Sequence, residues 1–555
     1  MTESQRPRES LRSILRHLIC RLVCDGDQPP PRGELAAFVP GEICILADYP
    51  PDHKLDKQEI VKLAQSNLAE QRLGRRVDFT TARVAIIRGR DRTLANVVGY
   101  VPELRKEPGQ MLRLIREIHK TIAQPPIPGR TPQPQGEPGQ YPPENRRQEP
   151  PLPAAARPAA PAGAQDTPPT GFRLRAASAN WMSSGAKYQI GGGPGAQPVG
   201  VPAMPSGLPS PQPWEFTLPP DLAQPGSGEA TRPVEVAVLD SVPSYAALQG
   251  AHATWVAGAT PPHPLLKLLL SDPAGAFNVV DRTPLTSSPG TVDQLEVWYS
   301  AAIAAIELDA HQYTMSSHGL FVAGIIRSIA PQVKLRMIQV LNDDGGGTLQ
   351  NLLDGFELLS ARTDTTPLLV NCSLVLNVTP EDADLQQLVQ DIFSVVNQSN
   401  NAVIAAAGNA GTAAGGTRAG AAAPAAYDTV TGVGALQLDN TPADYSNDSD
   451  TPTADGFATF GGAVAAGSSA LTADPNGGIL GVFIDDLPGD LPNASGWARW
   501  AGTSFATPIA TAAIANILSR AANTDDALAA IGNLLSVTPD GAIGDNISVV
   551  QGVVS

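Results

Sequence analysis

Apolar residues along this 555-residue chain keep three different rhythms. Near the start, Leu11, Ile14, Leu15, Leu18, Ile19, Leu22 and Val23 recur at helical intervals with arginines opposite them, which predicts an amphipathic helix. Strand-like runs over 42–47, 82–87 and 94–101 then alternate with helical patterns over 54–71 and 110–122. That order, β-α-β-β-α, suits a small α+β domain. From residue 231 onward, short continuous apolar runs at 234–240, 334–341, 367–373 and 402–409 are separated by helical patterns at 349–359 and 382–397. Runs of this kind belong to strands buried on both faces. Their alternation with helices predicts a doubly wound, mostly parallel α/β sheet.

Between residues 121 and 230 the rhythm is lost. Of 53 prolines, 25 fall there, which gives PPII-prone segments and no core of their own. The expected organisation is therefore a domain at 1–120, a largely disordered linker at 121–230 and a large domain at 231–555. One proline-poor island, residues 171–190, carries Phe172, Trp181, Met182 and Tyr188, apolar enough to dock on a folded surface. A linker this open is also a natural site for proteolytic cutting.

Charge and cysteine content narrow the partners. A formal charge of −16 argues against nucleic acid, because phosphate contacts need clustered Lys and Arg. Cys20, Cys24, Cys44 and Cys372 are too scattered for a disulfide framework or a paired zinc spacing, so reduced thiols are expected. Arg12, Arg16, His17 and Arg21 break the first apolar stretch, and no run is long enough to span a bilayer. The expectation is a cytoplasmic protein.

The candidate chemistry lies in the third region. Gly502-Thr503-Ser504-Phe505-Ala506-Thr507-Pro508 precedes an almost wholly small and apolar helix. At such a helix start the free N–H groups favour negative charge, so Ser504 is placed to attack while its own N–H steadies an oxyanion. A serine N-cap explains the same residues structurally. Asp240 ends the 234–240 strand, where open α/β sheets gather functional groups, although a lone strand-end Asp usually caps a turn. His318 opens a second small-residue helix, and a single histidine there is more often structural.

Together the blocks Asp240, His318-Gly319 with Val322-Ala323-Gly324, Ala330-Pro331, Ala407-Gly408-Asn409 and Gly502–Pro508 resemble the subtilisin-like serine peptidases, the subtilase family, over residues 233–555. The Asp, His, Ser chain order is that of subtilisin. The resemblance implies Ser504 as nucleophile, His318 as general base, Asp240 as its orienting partner and Asn409 as oxyanion donor. It also implies backbone pairing of an extended substrate with Gly345, Gly346, Gly347, Ser373, Leu374 and Val375, and a primary pocket walled by Ala407 and Gly408. No cofactor is required; structural calcium near 444–455 or 485–490 is an expectation from the family. Substrates would be proteins or peptides.

Departures from the family pattern matter. Val242-Pro243 follow Ser241 where a glycine is usual, and Leu320-Phe321 follow His318-Gly319 where Thr-His is usual. Val375 replaces a glycine, which narrows the primary pocket toward small side chains. The 78-residue spacing from Asp240 to His318 implies an apolar insertion at 265–270 and 303–306. His252 sits in a second histidine-like block but only 12 residues after Asp240, without the following strand. The rival reading is a catalytically weak or latent subtilase acting as a peptide-binding or self-processing module. For the N-terminal domain three uses stay open under either reading: inhibition, assistance in folding, or recruitment of a protein partner.

Overall fold

A computed structural model describes residues 38–70, 77–105, 108–123, 171–185, 196–201, 216–219, 222–223, 231–251, 278–280, 295–298, 314–362, 365–411, 418–450, 456–465, 472–521, 547–550 and 553–554, apart from a few positions inside these spans. The helical pattern at 11–23, Tyr188, His252, the runs at 265–270 and 303–306 and the acidic residues 451–455 lie outside the described residues.

The N-terminal body is an antiparallel sheet backed by two helices. Strand β1 (Phe38–Tyr49) pairs with β3 (Thr93–Tyr100), and β3 with β2 (Asp78–Arg88). Helices α1 (Lys57–Glu70) and α2 (Pro108–Ala123) bury Ile60, Ala64 and Leu68, and Met111, Leu114, Ile115 and Ile118. Those spacings put one apolar stripe of each helix on the sheet.

The fourth strand of this sheet comes from the proline-rich stretch. Strand β4 (Arg173–Gly185) pairs antiparallel with β1. Its Leu174, Ala176, Ala177, Ala179 and Trp181 are buried in the N-terminal core. Two further short strands arise from the same stretch, β5 (Val199–Gly200) and β6 (Phe216–Thr217). Composition marks the region as coreless linker because each of these pieces completes a core built by other residues. The docking residues Phe172, Trp181 and Met182 are all buried.

The C-terminal body is a nine-stranded sheet. Its strands are β7 (Glu235–Asp240), β8 (Asn278–Val280), β9 (Leu295–Trp298), β10 (Lys334–Gln339), β12 (Leu368–Cys372), β14 (Asn401–Ala406), β15 (Thr431–Leu436), β16 (Gly456–Phe460) and β19 (Ile547–Val550), in the order β19-β16-β15-β14-β12-β7-β10-β9-β8. All described pairs are parallel. Helices α3 (His318–Ile329) and α6 (Thr503–Leu518) cover one face. The other face carries α4 (Leu349–Ser360) and α5 (Ala383–Val396), and the N-terminal body continues that core. The central strands β7 and β12 are buried at every residue, as their unbroken apolar runs require.

Outside this sheet, β11 (Gly346–Thr348) and β13 (Leu374–Leu376) flank β4, and β17 (Ile479–Val482) pairs with β18 (Trp497–Trp500). Thr348 ends β11 and caps α4: its hydroxyl accepts from Asn351 N–H while the Asn351 side chain accepts from Thr348 N–H. That reciprocal cap ties the edge strand to the helix on which the N-terminal body sits. Across this seam Asn96 Nδ2 donates to Gln350 Oε1 at 2.9 Å, Gln350 N–H to Asn180 Oδ1 at 3.0 Å, and Lys57 Nζ lies 2.8 Å from Glu357 Oε2. Among the described residues no helix is long and apolar enough to cross a membrane.

Candidate active site

The parallel sheet delivers Asp240 at the carboxyl end of β7, and the next helix on that face starts at His318. Close approach of the two depends on Gly319. A Cβ there would lie 2.1 Å from the Ser241 carbonyl oxygen and 2.8 Å from Asp240 Cβ, so only glycine lets the histidine helix start against this strand end. The result is a hydrogen bond of 2.8 Å from His318 Nδ1–H to Asp240 Oδ1. Ser241 N–H also donates to that oxygen, at 2.7 Å. The start of α3 is clamped from outside by Asp485, which accepts from Ser316 Oγ at 2.6 Å and from Ser317 N–H at 2.8 Å. An acceptor at a helix start suits the free N–H groups there.

Ser504 is the second residue of α6, and the helix is buried along its full length. Pro508 has no N–H, so the Ser504 carbonyl lacks its usual donor four residues on. Ser373 Oγ supplies one at 2.8 Å, and Asn371 Nδ2 holds Ser373 Oγ at 2.9 Å. Thr511 Oγ1 in turn donates to Asn371 Oδ1 at 2.9 Å. The proline within the motif thus creates an acceptor that the β12–β13 junction satisfies. The Ser504 hydroxyl donates to the Ser373 carbonyl at 3.2 Å. Asp240, His318 and Ser504 are each almost completely buried.

Asn409 follows β14, and its side-chain carbonyl accepts from Thr503 N–H and Thr503 Oγ1, both at 2.9 Å. Two donors on Oδ1 fix the amide so that Nδ2 is turned to the Gly502 side, 3.5 Å from where a Cβ on Gly502 would stand. Ala407 and Gly408 are held behind it: Ala407 N–H donates to Val433 O at 2.9 Å and Gly408 N–H to Thr503 Oγ1 at 3.3 Å.

The expected peptide-binding edges are already paired. Gly346, Gly347 and Thr348 align with Ser184, Ser183 and Met182, while Leu374, Val375 and Leu376 align with Gly185, Ser184 and Ser183. Gly345, at φ +76, makes the turn into β11. Strand β4 therefore lies between the two edges as a third antiparallel strand.

Residues 287–535 match the subtilase family. That match contains His318, Asn409 and Ser504; Asp240 lies ahead of it and is tied in by its bond to His318. Subtilisin DY of Bacillus licheniformis is 31% identical over 141 residues, 24% of this chain and 47% of that protein, so the chain spans about half the length of this curated relative. Similar solved structures include a lanthipeptide protease (19% identity, 58% of this chain and 86% of that one, TM-score 0.38). A mutant protease domain of PatA is 21% identical over 58% of this chain and 95% of its own, at TM-score 0.36. The prenylagaramide maturation protease PagA is 20% identical over 56% and 87%, at TM-score 0.33.

Several neighbours of these residues carry no signal in the sequence. Asn371 and Thr511 meet across 140 residues of chain and nothing local marks them, while the acidic patch around Asp485 gives no hint of its contact with Ser316 and Ser317. Trp500 stands just before the Gly502 motif. Among the described residues no group of three or more His, Cys, Asp or Glu side chains converges as a metal site; Asp485, within one acidic patch expected for calcium, is engaged by α3. A cavity of about 350 Å³ lined by Arg88, Phe356, Ser360 and Arg362 lies at the seam with the N-terminal body, away from this chemistry.

Proposed function

We propose that the chain is a serine endopeptidase whose groove is first occupied by its own β4. Ser504 Oγ attacks the peptide carbonyl while His318 Nε2 takes its proton, and Asp240 holds Nδ1–H and stabilises the imidazolium. Asn409 Nδ2 and the Ser504 N–H donate to the oxyanion. His318 returns the proton to the leaving amine, and water repeats the sequence on the acyl-enzyme. The observation that carries this reading is the 2.8 Å Asp240–His318 bond, with the ring of Phe505, the residue after Ser504, 5.4 Å from the same imidazole.

The β4 pairing favours self-processing as the first event. A strand between two edges is how an extended peptide is held for backbone recognition. The test is intact mass over time for the full chain beside Ser504→Ala, with casein present. The expected result is Ser504-dependent fragments, the first ending between Gly185 and Ala196, followed by cleavage of casein. Chains that both stay whole beside intact casein would leave a peptide-binding module instead.

A further inference from the structure

We infer that Trp500, itself held by Ala196 of the proline-rich stretch, positions the imidazole of His318; this rests on the peptidase reading above. Asp240 fixes one nitrogen of that ring, but a single hydrogen bond leaves the ring free to turn about it. Aromatic rings limit that turning. Trp500 meets the His318 ring edge-on at 5.4 Å and 86°, and Phe505 meets it at 5.4 Å and 54°. Such ring pairs contribute beyond their buried area, and the Trp500 contact has the edge-on arrangement they prefer.

The rings around His318 are locked to each other. Phe505 packs on Trp500 at 4.9 Å and on Phe321 at 4.7 Å, and Phe321 and Phe483 each meet Trp500 edge-on, at 5.7 and 5.6 Å. Gly481 of β17 makes room for this packing, since a Cβ there would stand 2.5 Å from the Phe321 ring. Phe321 is one of the departures from the family pattern after His318-Gly319. Its aromatic ring is what the Trp500–Phe505 pair packs against.

Trp500 is in turn fixed from the proline-rich stretch. Its indole N–H donates to the Ala196 carbonyl. Strand β5 pairs with β18 through Gly200 opposite Ala498 and Val199 opposite Arg499. Ala196 is itself buried in the core that contains Phe321 and Phe505. The chain on the far side of the expected cut thus becomes a structural support of the general base.

Trp500 acts through His318, and the paired edges β11 and β13 do not touch it in the ladders described. Its loss should lower kcat and spare KM. The experiment uses the full chain, allowed to process itself, with a fluorogenic casein as substrate. Trp500→Ala is expected to lower kcat about 100-fold, the scale of roughly 1 Å misplacement of a catalytic group, with KM within about twofold. Trp500→Phe keeps a ring against His318 but has no N–H for Ala196. Its kcat should fall about three- to tenfold, a partial rescue relative to alanine. If Trp500→Ala does not fold, judged by its thermal melt, Trp500→Phe alone decides.

Unchanged kcat in the folded variants would overturn the inference, as would a rise in KM with kcat intact, which would make Trp500 a substrate contact. An inactive wild type, giving no Ser504-dependent products, overturns the peptidase reading and this one with it. An active wild type with equally active Trp500 variants overturns this one alone.

Discussion

Two strands from one proline-rich stretch have opposite allegiances. Strand β4 ends at Gly185 and belongs to the N-terminal core, with Trp181 fully buried, edge-on to Phe38 at 5.9 Å, and its Nε1–H on Ser178 Oγ at 2.8 Å. Ala196, Leu218 and Leu222 belong to the core on the other face of the parallel sheet. Asn516 of α6 donates to the Leu222 carbonyl at 2.9 Å, and Ala196 holds Trp500. Gly185 pairs beside Leu374 of β13, whereas Ala196 lies in the second core. The difference teaches that composition defines a stretch of chain but not its loyalties: Trp181 packs into one core and Ala196 into the other.

The sharpest way to break this comparison is to detach β4 alone. Truncating a buried tryptophan typically costs about 3–5 kcal/mol, more than a factor of 100 in a docking equilibrium. In a Ser504→Ala chain, which cannot cut itself, Trp181→Ala is expected to tighten binding of fluorescein-labelled casein by about 100-fold, because the two edges are released. Val199→Ala on β5, partly buried in the other body, should leave that binding unchanged. Equal effects from the two variants, or none from Trp181→Ala, would mean that β4 does not compete for the groove.

Much of this was legible in the sequence, and the reason differs by element. The strands of the parallel sheet announced themselves because burial on both faces demands unbroken apolar runs, so Glu235–Asp240 and Leu368–Cys372 are close to the expected 234–240 and 367–373. Asp240 stood out as the carboxylate that ends such a run, Asn409 as the residue after another run and its glycine, and His318 and Ser504 as the openings of small-residue helices with a glycine close by. Strand β4 was hidden because its alanines and serines carry little hydrophobic rhythm, and its pairing partners β1, β11 and β13 are far away in sequence. Nothing in the sequence singles out Trp500, and Phe505 stands out there as one member of the Gly502–Pro508 block. Their role depends on where β18 and α6 bring them, which no local spacing encodes.

The seam on α4 gives smaller, graded tests of the same competition. Asn96→Ala removes one partner of a buried amide pair and strands Gln350 Oε1, a loss of about 1–3 kcal/mol. Casein binding in the Ser504→Ala chain should tighten about tenfold. Lys57→Ala removes an exposed ion pair with Glu357, worth no more than about 1 kcal/mol, so a change under fivefold is expected, and it should shrink further in high salt. An inverted order would place the seam's strength in charge and not in buried packing.

The last test uses one thiol from each body. Cys44 lies in β1 and Cys372 in β12, and both are fully buried. Burial pushes the Cys44 thiol up to about 12. It pushes Cys372 up further still, with the Asp240 carboxylate adding to the effect. Only the thiolate alkylates readily, so at pH 8 neither should react with iodoacetamide in the folded chain, and each should label only when its own body opens. Peptide masses after digestion follow them apart from Cys20 and Cys24. With rising urea, Cys44 is expected to label before Cys372, because the N-terminal body closes on a strand supplied from far along the chain while Cys372 sits in the centre of the parallel sheet. Simultaneous labelling would mean that the two bodies, despite the change of partner between Gly185 and Ala196, open as one cooperative unit.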